Sequence, residues 1–335
     1  MPAKAGMTQL LEQPPGHMRA RAGAATVRDQ RSDMRKQFYT LDVFTQERFA
    51  GNPLAVVGDA DDLDDARMQA IAREFNLSET VFLQSPRDPV NTARARIFTP
   101  KRELPFAGHP TIGTAVLIGL LQAADMIRAR DIDIVLEEAV GPVRCTVRAR
   151  GDVVRAEFEL PRLPERAGEA ADAAMLARAL SLSLQDIGFR DHKPSVWSAG
   201  VGFTFVPLAS RDAVTRARPD MSVWNEVMGP PDHPSAFVYC DDTVGEGRHV
   251  HARMFAPSLG IAEDPATGSA VASFAGVCME YEKPGDGEHQ IIVEQGFAMG
   301  RPSLIALGMR VEGGKLVSAT IGGAAVLVSE GAIEI

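Results

Sequence analysis

The chain has 335 residues, 45% of them hydrophobic and 24% charged, with a net charge of −9. That is enough chain for two domains with real cores, in a balance ordinary for a soluble globular protein, and its acidity argues against nucleic-acid binding. No apolar run approaches membrane-spanning length, and Cys145, Cys240 and Cys278 form neither a CxxC pair nor a metal-ligand spacing, which points to a reducing, cytoplasmic setting.

Residues 1–36 differ from the rest. They carry Lys4, Arg19, Arg21, Arg28, Arg31, Arg35 and Lys36 against Glu12, Asp29 and Asp33, and show no apolar periodicity. Lacking an apolar core segment, they do not read as a secretory signal. We expect a disordered extension, with Met34 as a natural start; a transit peptide is the alternative.

Ordered structure is expected from Phe38. Phe38–Phe44 alternates like a strand, Phe49–Pro53 is a turn, and Leu54–Val57 is a second strand. Asp61–Phe75 has helical spacing, with Leu63, Met68, Ile71, Ala72 and Phe75 on one face. Asn76–Glu79 ends it, and strands follow at Thr80–Leu83 and Ala93–Phe98. Thr111–Gln122 is apolar nearly all round, the mark of a helix buried on every side. Strands are expected at Asp131–Leu136, Val143–Arg148 and Val153–Leu160, with turns at Gly141-Pro142 and Gly151-Asp152.

The second half repeats this programme. Phe203–Leu208 reads as a strand, Ser210–Met228 as helix, Ala236–Tyr239 and Ile291–Glu294 as strands, and Ala270–Tyr281 as a second helix apolar nearly all round. His109-Pro110 and Asp264-Pro265 lie 155 positions apart, and Phe98 and Phe255 lie 157 apart. An offset held across several elements indicates duplication, with too few copies for a solenoid. The expected architecture is α+β: two pseudo-symmetric lobes, residues 37–160 and 161–335, each a curved, mostly antiparallel sheet around a buried helix. Residues 161–192 would be a connector carrying a helix near Ala170–Leu180. On this reading His109 and Asp264 hold matching places in two copies of one loop.

Both all-apolar helices start beside Gly-Pro-rich loops, Gly108-His109-Pro110 and Asp264-Pro265-Ala266-Thr267-Gly268-Ser269. Free N–H groups of a first helical turn suit a carboxylate or phosphate. If the lobes face each other, both helix starts would hold one anionic substrate in a shared cleft. Asp264 alone reads equally well as an N-cap, and Ser269 as a small core-facing residue; His109 is a poor cap. Glu79 is either a solvated turn residue or a carboxylate part-buried by Leu77, Val81 and Phe82, its pKa raised for proton transfer. No GxGxxG, P-loop, GxSxG or HExxH pattern is present, so no metal, flavin, nicotinamide or pyridoxal phosphate is expected.

Phe49-Ala-Gly-Asn-Pro-Leu-Ala-Val-Val57, Asn76-Leu-Ser-Glu-Thr-Val-Phe82, Phe98-Thr-Pro, Glu103-Leu-Pro-Phe-Ala-Gly-His-Pro-Thr111 and Glu263-Asp-Pro-Ala-Thr-Gly-Ser-Ala270 resemble the phenazine-biosynthesis PhzF-like isomerases. The resemblance spans residues 37–335 and implies the diaminopimelate epimerase-like fold. It implies a cofactor-free, usually dimeric isomerase with its site between the lobes and a small carboxylate-bearing substrate. It places the general acid/base on Glu79 and further active-site groups on His109, Asp264 and Ser269. Substrate contacts fall on Ser78, Gly108, Thr267 and Gly268. Related racemases use one cysteine from each lobe; here neither loop has one. An amino-acid racemase with other bases, or a non-catalytic acid-binding protein, are the alternatives.

Overall fold

The computed structural model describes residues 35–228 and 235–335. The expected extension at residues 1–34 lies outside them, while Arg35 and Lys36 already belong to the first strand. Residues 36–333 form one compact unit, which holds everything discussed below. Arg35 and Glu334, of a separate small unit, form a 3.8 Å ion pair.

The first half runs β1 (Arg35–Val43), β2 (Asn52–Val57), α1 (Asp65–Phe75), β3 (Glu79–Gln84), β4 (Ala93–Phe98), β5 (Glu103–Leu104), α2 (Gly108–Gln122), α3 (Ala124–Ala129), β6 (Ile132–Glu138), β7 (Gly141–Arg150) and β8 (Val153–Glu159). Next come β9 (Glu165–Gly168) and α4 (Ala173–Ala179), then β10 (Ser195–Ser198), β11 (Gly202–Pro207), α5 (Arg211–Arg216), α6 (Trp224–Val227), β12 (Ala236–Cys240), β13 (Val250–Ala256) and β14 (Ile261–Asp264). Last are α7 (Gly268–Val277), β15 (Gly287–Gln295), β16 (Ser303–Glu312) and β17 (Lys315–Glu334). No helix among the described residues is long and apolar enough to cross a membrane.

The two halves share their pairings. β2 and β3 are parallel, as are β11 and β12. Ala93 pairs with Leu136 as Val250 pairs with Val293, both members shifted by 157. This is the expected α+β fold of two pseudo-symmetric lobes. Each half of one continuous 17-stranded sheet packs on one apolar helix: α2 is buried from Gly108 through Gly119, and α7 buries Ala270–Val277. Full burial of Ile112, Val116, Leu117 and Ile118 is worth about 1.5–3 kcal/mol each. The last strand ties the halves together, pairing with β16, then with β8 (Ile321 to Phe158), and with β1.

The helical stretch expected over Ser210–Met228 is two short helices. Pro219 disfavours helical backbone at the residue before it, and the chain leaves α5 at Ala217 with ψ 131°. α7 is α-helical only to Val277 and continues as a π-turn over Cys278–Glu282. The matched placing of His109 and Asp264 also changes. Ile97 pairs with Leu104 as Met254 pairs with Asp264, and the helices start at Gly108 and Gly268. The offset grows from 157 to 160 because the second loop is three residues longer. His109 therefore corresponds to Ser269, and Asp264 to Leu104.

Candidate active site

α2 and α7 meet start to start. A Cβ built on Gly108 would lie 3.8 Å from the Cα of Gly268. Neither helix has a side-chain cap or an acidic residue in its first turn. The backbone N–H groups of Gly108, His109, Gly268 and Ser269 have no partner among the described residues. Uncapped N–H groups at a helix start are suited to water or an anion. The two dipole ends add positive potential, each worth about 0.3–2 kcal/mol to a bound anion.

Glu79 begins β3, beside Leu54 of parallel β2. Asn76 in the left-handed region (φ 51°) ends α1 and turns the chain into this strand. The Glu79 carboxyl oxygen Oε2 faces His109 Nε2 at 3.4 Å; the Glu79 and His109 side chains keep 15% and 7% of their exposure. Both atoms are buried without a hydrogen bond. Burial, followed by the charge of Asp264, raises the Glu79 pKa to about 8. Burial lowers that of His109 to about 3, against a hydrogen bond with the Pro53 backbone. At neutral pH the site therefore holds a neutral imidazole facing a largely protonated acid.

Asp264 ends β14 and is fixed on both oxygens: Asn52 Nδ2 donates to one at 2.9 Å, and Thr267 Oγ1 to the other at 2.6 Å. Burial raises its pKa to about 6, although these two hydrogen bonds lower it. It is not the α7 N-cap; Thr267 holds that position. Gln295 completes the support, accepting from Thr267 N–H at 3.2 Å and donating to Thr267 Oγ1 at 3.0 Å and to the Asp264 carbonyl at 2.7 Å. The hydroxyl of Thr267, read from the sequence as a substrate contact, is thus engaged by protein. Ser78 and Ser269 are half-buried, with hydroxyls that have no hydrogen-bond partner among the described residues.

The structure thus brings together Glu79 and His109 from the first lobe and Asp264, Thr267, Gly268 and Ser269 from the second, around the abutting helix starts. Asn52 and Gln295, both fully buried, were not anticipated as site residues. Asn52 stands inside the Gly-Asn-Pro turn, so its position was visible; Gln295 gives no local signal. A surface pocket of about 450 Å³ lies elsewhere, lined by Gln122, Met126, Arg130 and Asp133 at the far end of α2, about 20 Å along the helix from the site. The cysteines are also elsewhere: Cys145 on β7, Cys240 on β12 and Cys278 after α7, all free and buried. Burial pushes the Cys240 thiol up to about 12.

Comparison with known proteins identifies the family. Residues 41–331 match the PhzC-PhzF family model, described as phenazine biosynthesis-like protein. The chain is 47% identical to an uncharacterized isomerase of Mesorhizobium japonicum, over 88% of this chain and 98% of that protein. It is 35% identical to the trans-2,3-dihydro-3-hydroxyanthranilate isomerase of Pseudomonas aeruginosa, with the same coverage. Among solved structures, a PhzF-family protein of Bacillus anthracis superposes with a TM-score of 0.80 at 28% identity, covering 90% of this chain and 99% of that one. The chain belongs to the phenazine biosynthesis-like PhzC-PhzF family and is an isomerase.

Proposed function

We propose that this isomerase moves a proton between two carbons of a small carboxylate-bearing substrate without a cofactor, with Glu79 as the proton carrier. The observation that carries the reading is the buried Glu79 carboxyl facing His109 Nε2 at 3.4 Å, beside two abutting helix starts whose first N–H groups have no partner among the described residues. A carboxylate that titrates near neutrality is matched to both halves of such a transfer. In its ionised form Glu79 takes a proton from carbon: the C–H bond breaks, an O–H bond forms, and the electron pair moves into the substrate's π system. Glu79, its proton exchanging with solvent between the two half-reactions, then delivers a proton to another carbon as the double bond shifts. The N–H groups of Gly108, His109, Gly268 and Ser269 stabilise the negative charge on the substrate meanwhile. Neutral His109 presents Nε2 to the Glu79 carboxyl at 3.4 Å, and burial with the nearby Asp264 charge holds the Glu79 pKa up. Ser78 and Ser269 offer hydroxyls to polar groups of the substrate.

The P. aeruginosa relative makes trans-2,3-dihydro-3-hydroxyanthranilate the first substrate to assay. Racemisation by paired thiols is disfavoured, because all three cysteines are buried away from the helix starts. Assembly as a homodimer in the cytoplasm completes the proposal; a sedimentation mass near 36 kDa at micromolar concentration would count against the dimer. The reaction itself is tested in deuterated water. A double-bond shift places deuterium at the carbon that gains hydrogen and yields a constitutional isomer. Deuterium found only at an inverted stereocentre of unchanged connectivity would indicate epimerisation instead.

A further inference from the structure

We infer that Glu138 is a positioning residue: held as a neutral carboxylic acid, it fixes the start of α2 as Gln295 fixes the start of α7. Glu138 ends β6 and is 7% exposed. Its Oε1 lies 2.7 Å from Thr111 Oγ1, and that same hydroxyl lies 2.8 Å from the Ala107 carbonyl. Threonine has one hydroxyl proton. If it goes to the Ala107 carbonyl, which can only accept, the proton in the other contact comes from Glu138. If it goes to Glu138 instead, two oxygen lone pairs face each other at 2.8 Å.

The internal symmetry gives a second, independent argument. Arg94 pairs with Glu137 as His251 pairs with Glu294. The next residues along the two strands, Glu138 and Gln295, are therefore equivalent. Gln295 bonds Thr267 at the start of α7, and Glu138 bonds Thr111 in the first turn of α2. A protonated glutamate is the near-isostere of glutamine. The other Glu138 oxygen is buried without a partner, which is costly for an ionised carboxylate and much less so for a neutral acid. The purpose rests on the anion-cradle reading above: a charged Glu138 would oppose a substrate carboxylate at the neighbouring N–H groups. The protonation state does not rest on it.

The groups around Glu138 divide. Arg87, Arg94 and Arg96 line the same pocket, together with Glu103 and Glu137. Arg96 is tied to Asp65 and Glu103. Glu137 is capped by the Arg87 and Asp88 N–H groups and by Asn91. β7 presents Cys145, whose thiol is pushed up by burial and by Glu138. The arginines favour the carboxylate. Burial wins, raising the Glu138 pKa to about 8 against the Thr111 hydrogen bond.

The test needs no substrate. The infrared difference between the full-length wild type and Glu138→Gln at pH 6 should show one protonated-carboxyl carbonyl band lost from the variant, fading in the wild type as pH rises through about 8. Melting temperatures of the two should agree at pH 6, with the variant the higher at pH 9. Loss of a carboxylate band at pH 6 would overturn the inference. So would a variant that is equally destabilised at every pH or fails to fold, because the neutral isostere would then not suffice. If these readouts succeed while no carboxylate substrate is turned over, the proposed function fails and the inference about Glu138 stands.

Discussion

Glu79 shows what a residue's surroundings do to ordinary chemistry. Burial and the nearby Asp264 charge lift its pKa to about 8, so the base form grows as pH rises through that value. The rate of proton abstraction should climb to a plateau above about pH 8. The sign for stability is opposite. Between the ordinary carboxyl value of 4.5 and about 8, the folded protein holds a proton that the unfolded chain has released. Stability therefore falls with rising pH by up to about 1.4 kcal/mol per unit from this group. Glu79→Gln removes that slope, so its melting temperature relative to wild type should be higher at pH 9 than at pH 5. Equal differences at both pH values would contradict the raised pKa. At Asp264, Asp264→Ala removes the acceptor of one Asn52 amide hydrogen and of the Thr267 hydroxyl, leaving Asn52 only its bond to the Ala266 carbonyl, and should cost about 1–3 kcal/mol, read by chemical denaturation. Glu79 and His109 were legible because local motifs carry them. The place of Asp264 was not: its partners Asn52 and Gln295 sit 212 and 31 positions away.

At the scale of elements, the apolar helices were the easiest to read, since continuous apolar sequence leaves a helix no solvent face. Their first turns were harder. α2 starts at Gly108, three residues before the apolar stretch suggests, because glycine, histidine and proline carry no helical pattern. The short strands β5, β9, β10 and β14 were also missed; two to four residues give no alternation to detect. α2 packs closely on the sheet at Gly113, where a Cβ would lie 2.6 Å from Leu54 Cδ2 and 2.7 Å from Val43 Cγ2. Both neighbours are fully buried. Gly113→Ala should therefore destabilise by about 1–3 kcal/mol through overpacking, although alanine is the better helix former. A denaturation midpoint equal to or above wild type would show that α2 can shift outward at little cost.

At the scale of the molecule, the duplication was visible as a near-constant offset, and the shared strand pairings follow it. What the offset could not show is the three-residue lengthening before α7, which breaks the symmetry where the chemistry differs. It also could not show that β17 returns to pair with β8 and β1, because pairing between distant strands leaves no local trace in sequence. We propose the lobe boundary near residue 160 on the pattern of these repeats. We propose that the two lobes converge on one proton carrier held beside one anion cradle. This is tested by turnover of Glu79→Gln beside wild type, in deuterated water, on a substrate the wild type isomerises, with binding followed separately. The account predicts a folded variant that still binds the substrate, loses about 10²–10⁴-fold in turnover and installs no deuterium on the wild-type timescale. Turnover and deuterium incorporation near the wild-type level would contradict it and move the proton transfer to His109 or Asp264.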